Sequence, residues 1–194
     1  MSNEYIGLMF SDQEFIKGCA SGDRAVQKAL YERYCRKMMA VCLRYAGSEE
    51  EAEDILQEGF VKVFKNIHTF RGESRLDTWI ARIMINTSLN HQRHKMYLIP
   101  LIAEEDIAAS ETEEVSLAEF HLAELIAIVQ SLPDGCRLVF NLFAIEGYSH
   151  KEIAKMAGIS EGTSKSQYNR AKNLLRIRIN EPGRAYKRYE ESHI

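Results

Sequence analysis

Between Ser160 and Arg178 lie five basic residues, Lys165, Arg170, Lys172, Arg176 and Arg178, against one acid, Glu161. Thr163, Lys165, Ser166, Gln167, Asn169, Arg170 and Lys172 crowd the first part of that run. Cations hold phosphates, and amides pair with base edges in the major groove, so the set suits duplex DNA. A second set lies upstream. Phe70, Arg71, Arg75, Trp79, Arg82 and Asn86 mix aromatic rings, cations and an amide, and from Arg71 to Lys95 there are five basic residues and two acids. An unpaired base needs a stacking surface and a hydrogen-bonding partner, while its phosphates need cations, so this set suits single-stranded DNA. Trp79 lies among Ile80, Ile83 and Met84 and fits a core position equally well. Phe70, between Thr69 and Arg71, has less reason to be buried. A third set, Asp54, Gln57 and Glu58, falls on one helix surface, opposite much of the apolar stripe that runs on to Phe64. Dipole-favoured acids at a helix start account for Glu49 to Glu51, but less well for Gln57 and Glu58 further in.

Other chemistries lack their residues. Nothing resembles a nucleophile triad, a phosphate-binding glycine loop or a carboxylate dyad, so no catalysis and no small-molecule substrate are expected. His91 and His94 could share a helix face, but a structural zinc needs four ligands and no cysteine is adjacent, so no metal or cofactor is expected. Cys19, Cys35, Cys42 and Cys136 have neither CxxC spacing nor a dense framework and fit buried thiols in a reducing cytosol. No basic segment followed by an apolar run opens the chain, and no run reaches membrane-spanning length, so a cytoplasmic location is expected.

The elements that must position these sets are all helices. Ser149 and Glu152 form a capping box that starts a helix near His150, and Gly158 suits the positive φ after its end. Ser160 can cap a second helix from about Glu161 to Ile177. That is a helix-turn-helix, whose second helix enters the major groove. Ser164 departs from the pattern, since it stands where an apolar residue usually packs. A solvated basic face on an ordinary helix pair would show the same charges. Upstream, Ser11 with Glu14 and Ser48 with Glu51 are further capping boxes. Helical periodicity predicts a short helix after Ser11 that Gly22 interrupts, then helices at about Asp23–Tyr45, Glu49–Asn66 and Arg75–Lys95, with a loop over His68–Ser74.

Composition then changes. Leu98 to Ser116 holds six acids and no base and reads as a linker. Fully extended, it could span roughly 60 Å, beyond one DNA turn of about 34 Å. Ser116 and Glu119 form a capping box for a helix over Leu117–Ser131, and another helix follows from about Asp134 to Glu146, ending at Gly147. The expected organisation is all-α: a helical domain over 1–97, an acidic linker over 98–116, a helical domain with the helix-turn-helix over 117–179, and a tail over 180–194. A net charge of −3 argues against a generic nucleic-acid coat, but charge is segregated along the chain. From residues alone, a stand-alone helix-turn-helix regulator and a recombinase-type DNA enzyme stay open. The first leaves the first 95 residues unexplained, and the second needs a catalytic Ser, Tyr or carboxylate cluster.

AEDILQEGFVKVFKNI, FRGESRLDTWIARIMINTSLNHQR and LPDGCRLVFNLFAIEGYSHKEIAKMAGISEGTSKSQYNRAK, in that order, resemble the two conserved domains of bacterial RNA polymerase sigma factors. The format, two domains and a brief linker, is similar to the extracytoplasmic-function (ECF) group, and EGTSKSQYNRAK resembles a branch common in Bacteroidetes-type bacteria. The resemblance spans roughly residues 11 to 178. It implies a sigma factor that binds core RNA polymerase, recognises promoter DNA and helps to melt it. It also implies an anti-sigma partner, often membrane-anchored. Asp54, Gln57, Glu58 and Phe64 would dock on polymerase. Phe70, Arg71, Arg75, Trp79, Arg82 and Asn86 would engage the −10 element. Thr163, Lys165, Ser166, Gln167, Asn169, Arg170 and Lys172 would engage the −35 element. The linker would thread the polymerase near the active-site cleft. Relatives are expected to carry Arg where this chain has Gln167, which implies a different base preference there.

Overall fold

The structure is a computed structural model that describes residues 10–96 and 122–180. The acidic linker at 98–116, the capping box at Ser116 and Glu119, and the tail beyond Asn180 lie outside the described residues. The chain forms two compact units, 1–90 and 91–194. Among the described residues every regular element is helical.

In the first unit, α1 (Asp12–Ala20), α2 (Arg24–Tyr45) and α3 (Glu49–Asn66) pack on one another, and a 3₁₀ turn (Ile67–Thr69) leads through a loop into α4 (Leu76–Met96). The starts are local chemistry. Ser11 and Glu14 form the reciprocal capping box, and Asp23 accepts from the backbone N–H groups of Ala25 and Val26. Such caps contribute about 1 kcal/mol each. At α3 the box is not reciprocal: Ser48 accepts from Glu51 N–H, but the Glu51 carboxylate accepts from Gly47 N–H instead of Ser48. Gly47, expected to end α2, follows an extended Ala46 C-cap. Gly22 does take positive φ, +79°, at the break between α1 and α2.

Phe15, Leu30, Met38, Ile55, Ile67, Ile80 and Met84 are fully buried and make the core of this unit. Each contributes roughly 1.5–3 kcal/mol by leaving water. Gly59 lets α3 and α4 approach closely, because a Cβ there would run into Met84 Sδ. Lys62 Nζ of α3 then donates to Thr87 Oγ1 of α4 at 3.2 Å.

In the second unit, α5 (Leu122–Gln130), α6 (Asp134–Phe140), a π turn (Asn141–Ile145), α7 (His150–Ala157) and α8 (Glu161–Ile179) follow in order. Ile128, Leu132, Cys136, Ala171 and Leu175 form a buried cluster joining α5, α6 and α8. The helix expected through Glu146 changes its winding at Asn141. Asn141 Nδ2 donates to Arg137 O at 2.9 Å, and Glu146 N–H donates five residues back to Asn141 O. π turns of this kind are rare and occur as single turns within α-helices. Arg137, 2% exposed, closes the α5 end: Nη1 donates to Gln130 O at 2.7 Å and Leu132 O at 3.0 Å, and Nη2 pairs with Asp134. These bonds offset the cost of burying the guanidinium charge. The helix-turn-helix follows the sequence pattern: a reciprocal Ser149–Glu152 box, Gly158 at φ 71°, ψ 32°, and Ser160 accepting from Thr163 N–H.

Candidate nucleic-acid interface

On α8, Ser164, Ala171 and Leu175 are buried, with Gln167, Tyr168 and Leu174 half-buried beside them. Positions 164, 167, 168, 171, 174 and 175 trace one helical stripe against α5, α6 and α7. Lys165, Ser166, Asn169, Arg170, Lys172 and Arg176 are exposed on the rest of the helix. Lys165 pairs with Glu161 at 2.7 Å, and Lys172 Nζ lies 4.9 Å from the Tyr168 ring centroid. Both pairs are at the surface and worth little, so they leave the cations free to exchange toward phosphate.

Two of the seven expected −35 residues sit differently. Gln167 faces inward: Cys136 Sγ of α6 donates to its Oε1 at 2.9 Å, and a Cβ on Gly135 would touch its amide. The reason is phase, since Gln167 is three residues after the buried Ser164 and four before the buried Ala171. Thr163, half-buried, shares a hydroxyl contact of 2.8 Å with Ser160 and belongs to the cap. The polar Ser164 is explained by His150, whose Nδ1 lies 2.9 Å from Ser164 Oγ. The His150 ring stacks on Phe143, with centroids 4.2 Å apart. Sequence reading gave no role to His150 or Cys136. The signal was there in a polar residue on the buried stripe, which needs a partner.

Arg75, just before α4, and Trp79, Arg82 and Asn86 on it recur at helical spacing, and all but the half-buried Trp79 are exposed. Phe70 and Trp79 are both half-buried and pack on each other, with ring centroids 5.5 Å apart at 59°. The tryptophan is therefore neither core nor free platform, but one half of an aromatic pair in line with Arg75, Arg82 and Asn86. Arg71 is exposed on the same loop. Asp77 at the start of α4 accepts from Lys37 of α2 at 2.7 Å and from Arg75 Nε at 3.3 Å. The Lys37 ammonium holds the Asp77 pKa down to about 2, against the upward push of burial.

Asp54, Gln57 and Glu58 are exposed on α3, with Glu58 paired to Lys62 at 2.7 Å. Phe64 is half-buried, its ring centroid 6.0 Å from that of Phe60. The row continues to Val61, 50% exposed, and Tyr31 of α2, 39% exposed, lies edge-on to Phe60. Val61 was missed by sequence reading, although it falls three residues beyond Glu58 and off the buried Ile55–Gly59–Val63 line.

Burial raises the pKa of the Cys19 and Cys136 thiols to about 11 and of Cys42 to about 12. These three stay protonated and unreactive at neutral pH. Among the described residues, no group of three or more His, Cys, Asp or Glu is placed to hold a metal, and no helix is long and apolar enough to cross a membrane.

Both units match known protein families by sequence. The family models Sigma-70 region 2 and Sigma-70, region 4 match residues 30–96 and 122–175, together well over half of the chain. The ECF RNA polymerase sigma-E factor of Haemophilus influenzae is 29% identical over 184 residues, covering 87% of this chain and 95% of the relative. The RNA polymerase sigma-H factor of Pseudomonas aeruginosa is 27% identical, covering 84% and 91%. A co-crystal structure of the sigma factor RpoE with the anti-sigma factor NepR from Bartonella quintana aligns with a TM-score of 0.45 and 21% identity, covering 81% of this chain and 98% of that one. The chain belongs to the sigma-70 family of transcription initiation factors, with region 2 in its first unit and region 4 in its second. Within that family it is an ECF sigma factor, and it directs RNA polymerase to promoters.

Proposed function

We propose that the three surfaces divide the work of initiation. Asp54, Gln57, Glu58 and Phe64, extended by Val61, dock core polymerase. The pair Phe70–Trp79 and the row Arg75, Arg82 and Asn86, with Arg71, take the −10 element as single strand and assist melting. Lys165, Ser166, Asn169, Arg170 and Lys172 hold and read the −35 element. The observation that carries this reading is the row along α4, in which exposed Arg75, Arg82 and Asn86 line one face with Trp79 of the aromatic pair. Cations for phosphates and a ring surface for bases are the two needs of a strand leaving the duplex.

The protein works in the cytoplasm, without a catalytic step of its own, and belongs to the Bacteroidetes-type branch. Exposed Val61, Tyr31, Ile145 and Ile177 support a partner that covers apolar surface when polymerase is absent, an anti-sigma factor in this reading and a membrane-anchored one where the signal is external.

The test is transcription with core polymerase from the source bacterium. Phe70→Ala should leave promoter binding in place and slow strand opening about tenfold or more, read as permanganate reactivity of −10 thymines. Gln57→Ala with Glu58→Ala should instead weaken co-purification with core. Opening at the wild-type rate in Phe70→Ala would remove the −10 assignment.

A further inference from the structure

The recognition helix carries two polar residues on its buried side, three positions apart, and each meets one polar partner from a different helix. Ser164 Oγ lies 2.9 Å from His150 Nδ1 of α7, and Gln167 Oε1 accepts from Cys136 Sγ of α6 at 2.9 Å. Ser164 and Cys136 are fully buried. An apolar side chain in either slot would bury similar surface but tolerate a rotated or shifted helix, because hydrophobic contact has no preferred direction. A hydrogen bond weakens steeply with misalignment. A buried polar atom that loses its partner keeps the whole desolvation cost. Two such bonds to two different helices therefore fix both the rotation of α8 about its axis and its position along it.

We infer that Cys136, acting through Gln167, and His150, acting through Ser164, are positioning residues that set which face of the recognition helix meets the −35 element, and that Gln167 is an anchor and not a base reader. The inference rests on the reading of α8 as the −35 helix. It leaves Asn169 as the amide on the outward face able to pair bidentately with a base edge, adenine fitting it best. Burial keeps the Cys136 thiol protonated, with a pKa near 11, so it remains a donor at any pH at which the protein works. The neighbouring stack of His150 on Phe143, with Tyr168 tilted 4.6 Å from Phe143, holds the imidazole plane. Ser164 thus meets a ring fixed in orientation.

The experiment is a library of −35 sequences transcribed by polymerase reconstituted with each full-length variant, alongside thermal melting of that variant. Asn169→Ala should flatten preference at a single base pair, by roughly five- to a hundredfold. Gln167→Met keeps the length of the side chain but cannot accept the thiol proton. It should broaden preference across several −35 positions together, as should Cys136→Ala and Ser164→Ala. Gln167→Met combined with Cys136→Ala should be no worse than either alone, because both cut one bond. Cys136→Ser restores a donor in nearly the same place and should keep the wild-type profile. That rescue separates positioning from mere loss of core volume, which the melting curves report independently.

Two results overturn the inference while leaving the reading of α8 in place. One is Gln167→Met removing preference at one base pair while Cys136→Ala leaves the profile intact, which would make Gln167 a reader. The other is an unaltered profile in all the link variants. A wild-type factor that initiates from the library with no −35 preference at all would overturn the reading of α8 itself, and the inference with it.

Discussion

Asp77 illustrates how much of the site rests on single residues outside it. Lys37 reaches across from α2 to the start of α4, and Asp77 then holds Arg75, so the first cation of the row is oriented by a carboxylate anchored from another helix. The folded state depresses the Asp77 pKa from its ordinary 3.8 to about 2. A depressed carboxylate stabilises the fold above its unfolded value, near 4, and that contribution disappears as pH falls toward 2. The depression alone would correspond to about 2.5 kcal/mol. Because the Lys37 side chain is 62% exposed, solvent screening reduces it to about 1 kcal/mol. Asp77→Asn should therefore lower the stability of the first unit by about 1 kcal/mol at pH 7, and the gap to wild type should close between pH 4 and pH 2. Urea titrations at several pH values measure it. A gap that persists unchanged at pH 2 would mean that the carboxylate charge is not the cause.

Helix packing adds constraints that no residue shows alone, and the crossing of α3 with α4 is the clearest. Alanine is the better helix former by about 1 kcal/mol, so propensity predicts that Gly59→Ala stabilises α3. The added Cβ would collide with the buried Met84 Sδ, and overpacking of this kind costs about 1–3 kcal/mol. The expected net result is destabilisation, partly reversed by Met84→Val in the same chain. Denaturation of the single and double variants decides it, and a stabilised Gly59→Ala would show that Met84 has room to move. The same example marks the limit of what the sequence tells. Caps at Ser11, Asp23, Ser149 and Ser160 depend on residues two or three apart, so they and the helix starts they fix could be read directly. Lys37 meets Asp77 across forty positions and Gly59 meets Met84 across two helices, and nothing local encodes either meeting. Gln167 lies between these cases. Its residue type suited a base reader, but its register with Ala171 and Leu175 already placed it on the inner stripe. The residues chosen by type for the −10 set do recur along one side of α4 or on the loop before it, Phe70 and Trp79 half-buried and the others exposed. Type weighed without phase put Gln167 among the outward residues, whereas the structure turns it inward against Cys136. The π turn at Asn141 was hidden for a third reason, since its wider winding leaves the apolar pattern of the segment unchanged.

At the scale of the whole chain, the decisive quantity is where the charge lies. The protein carries −3 overall, yet the segment 98–116 alone contributes six acids and no base, while Ser160–Arg178 has five bases and one acid. Each phosphate neutralised by a lysine or arginine releases counterions, and that release supplies most of non-specific affinity. A single basic helix engages few phosphates, and an acidic segment in the same chain competes for its cations intramolecularly. The free protein should accordingly bind duplex promoter DNA more weakly than micromolar at physiological salt, with little preference between promoter and random sequence. Complexed with core polymerase, the same chain should bind its promoter in the range typical of specific complexes, about 10⁻⁸ M or tighter. Fluorescence anisotropy with a labelled promoter, for the chain alone and for the holoenzyme, provides the comparison. Replacing Glu104, Glu105, Asp106, Glu111, Glu113 and Glu114 by their amides should raise the affinity of the free chain and steepen its salt dependence, since more cations then remain for phosphate. No gain from the amides would assign the weakness to the small cation count alone. Nanomolar, sequence-specific binding by the unmodified isolated chain would contradict the argument altogether, because DNA reading would then need no polymerase.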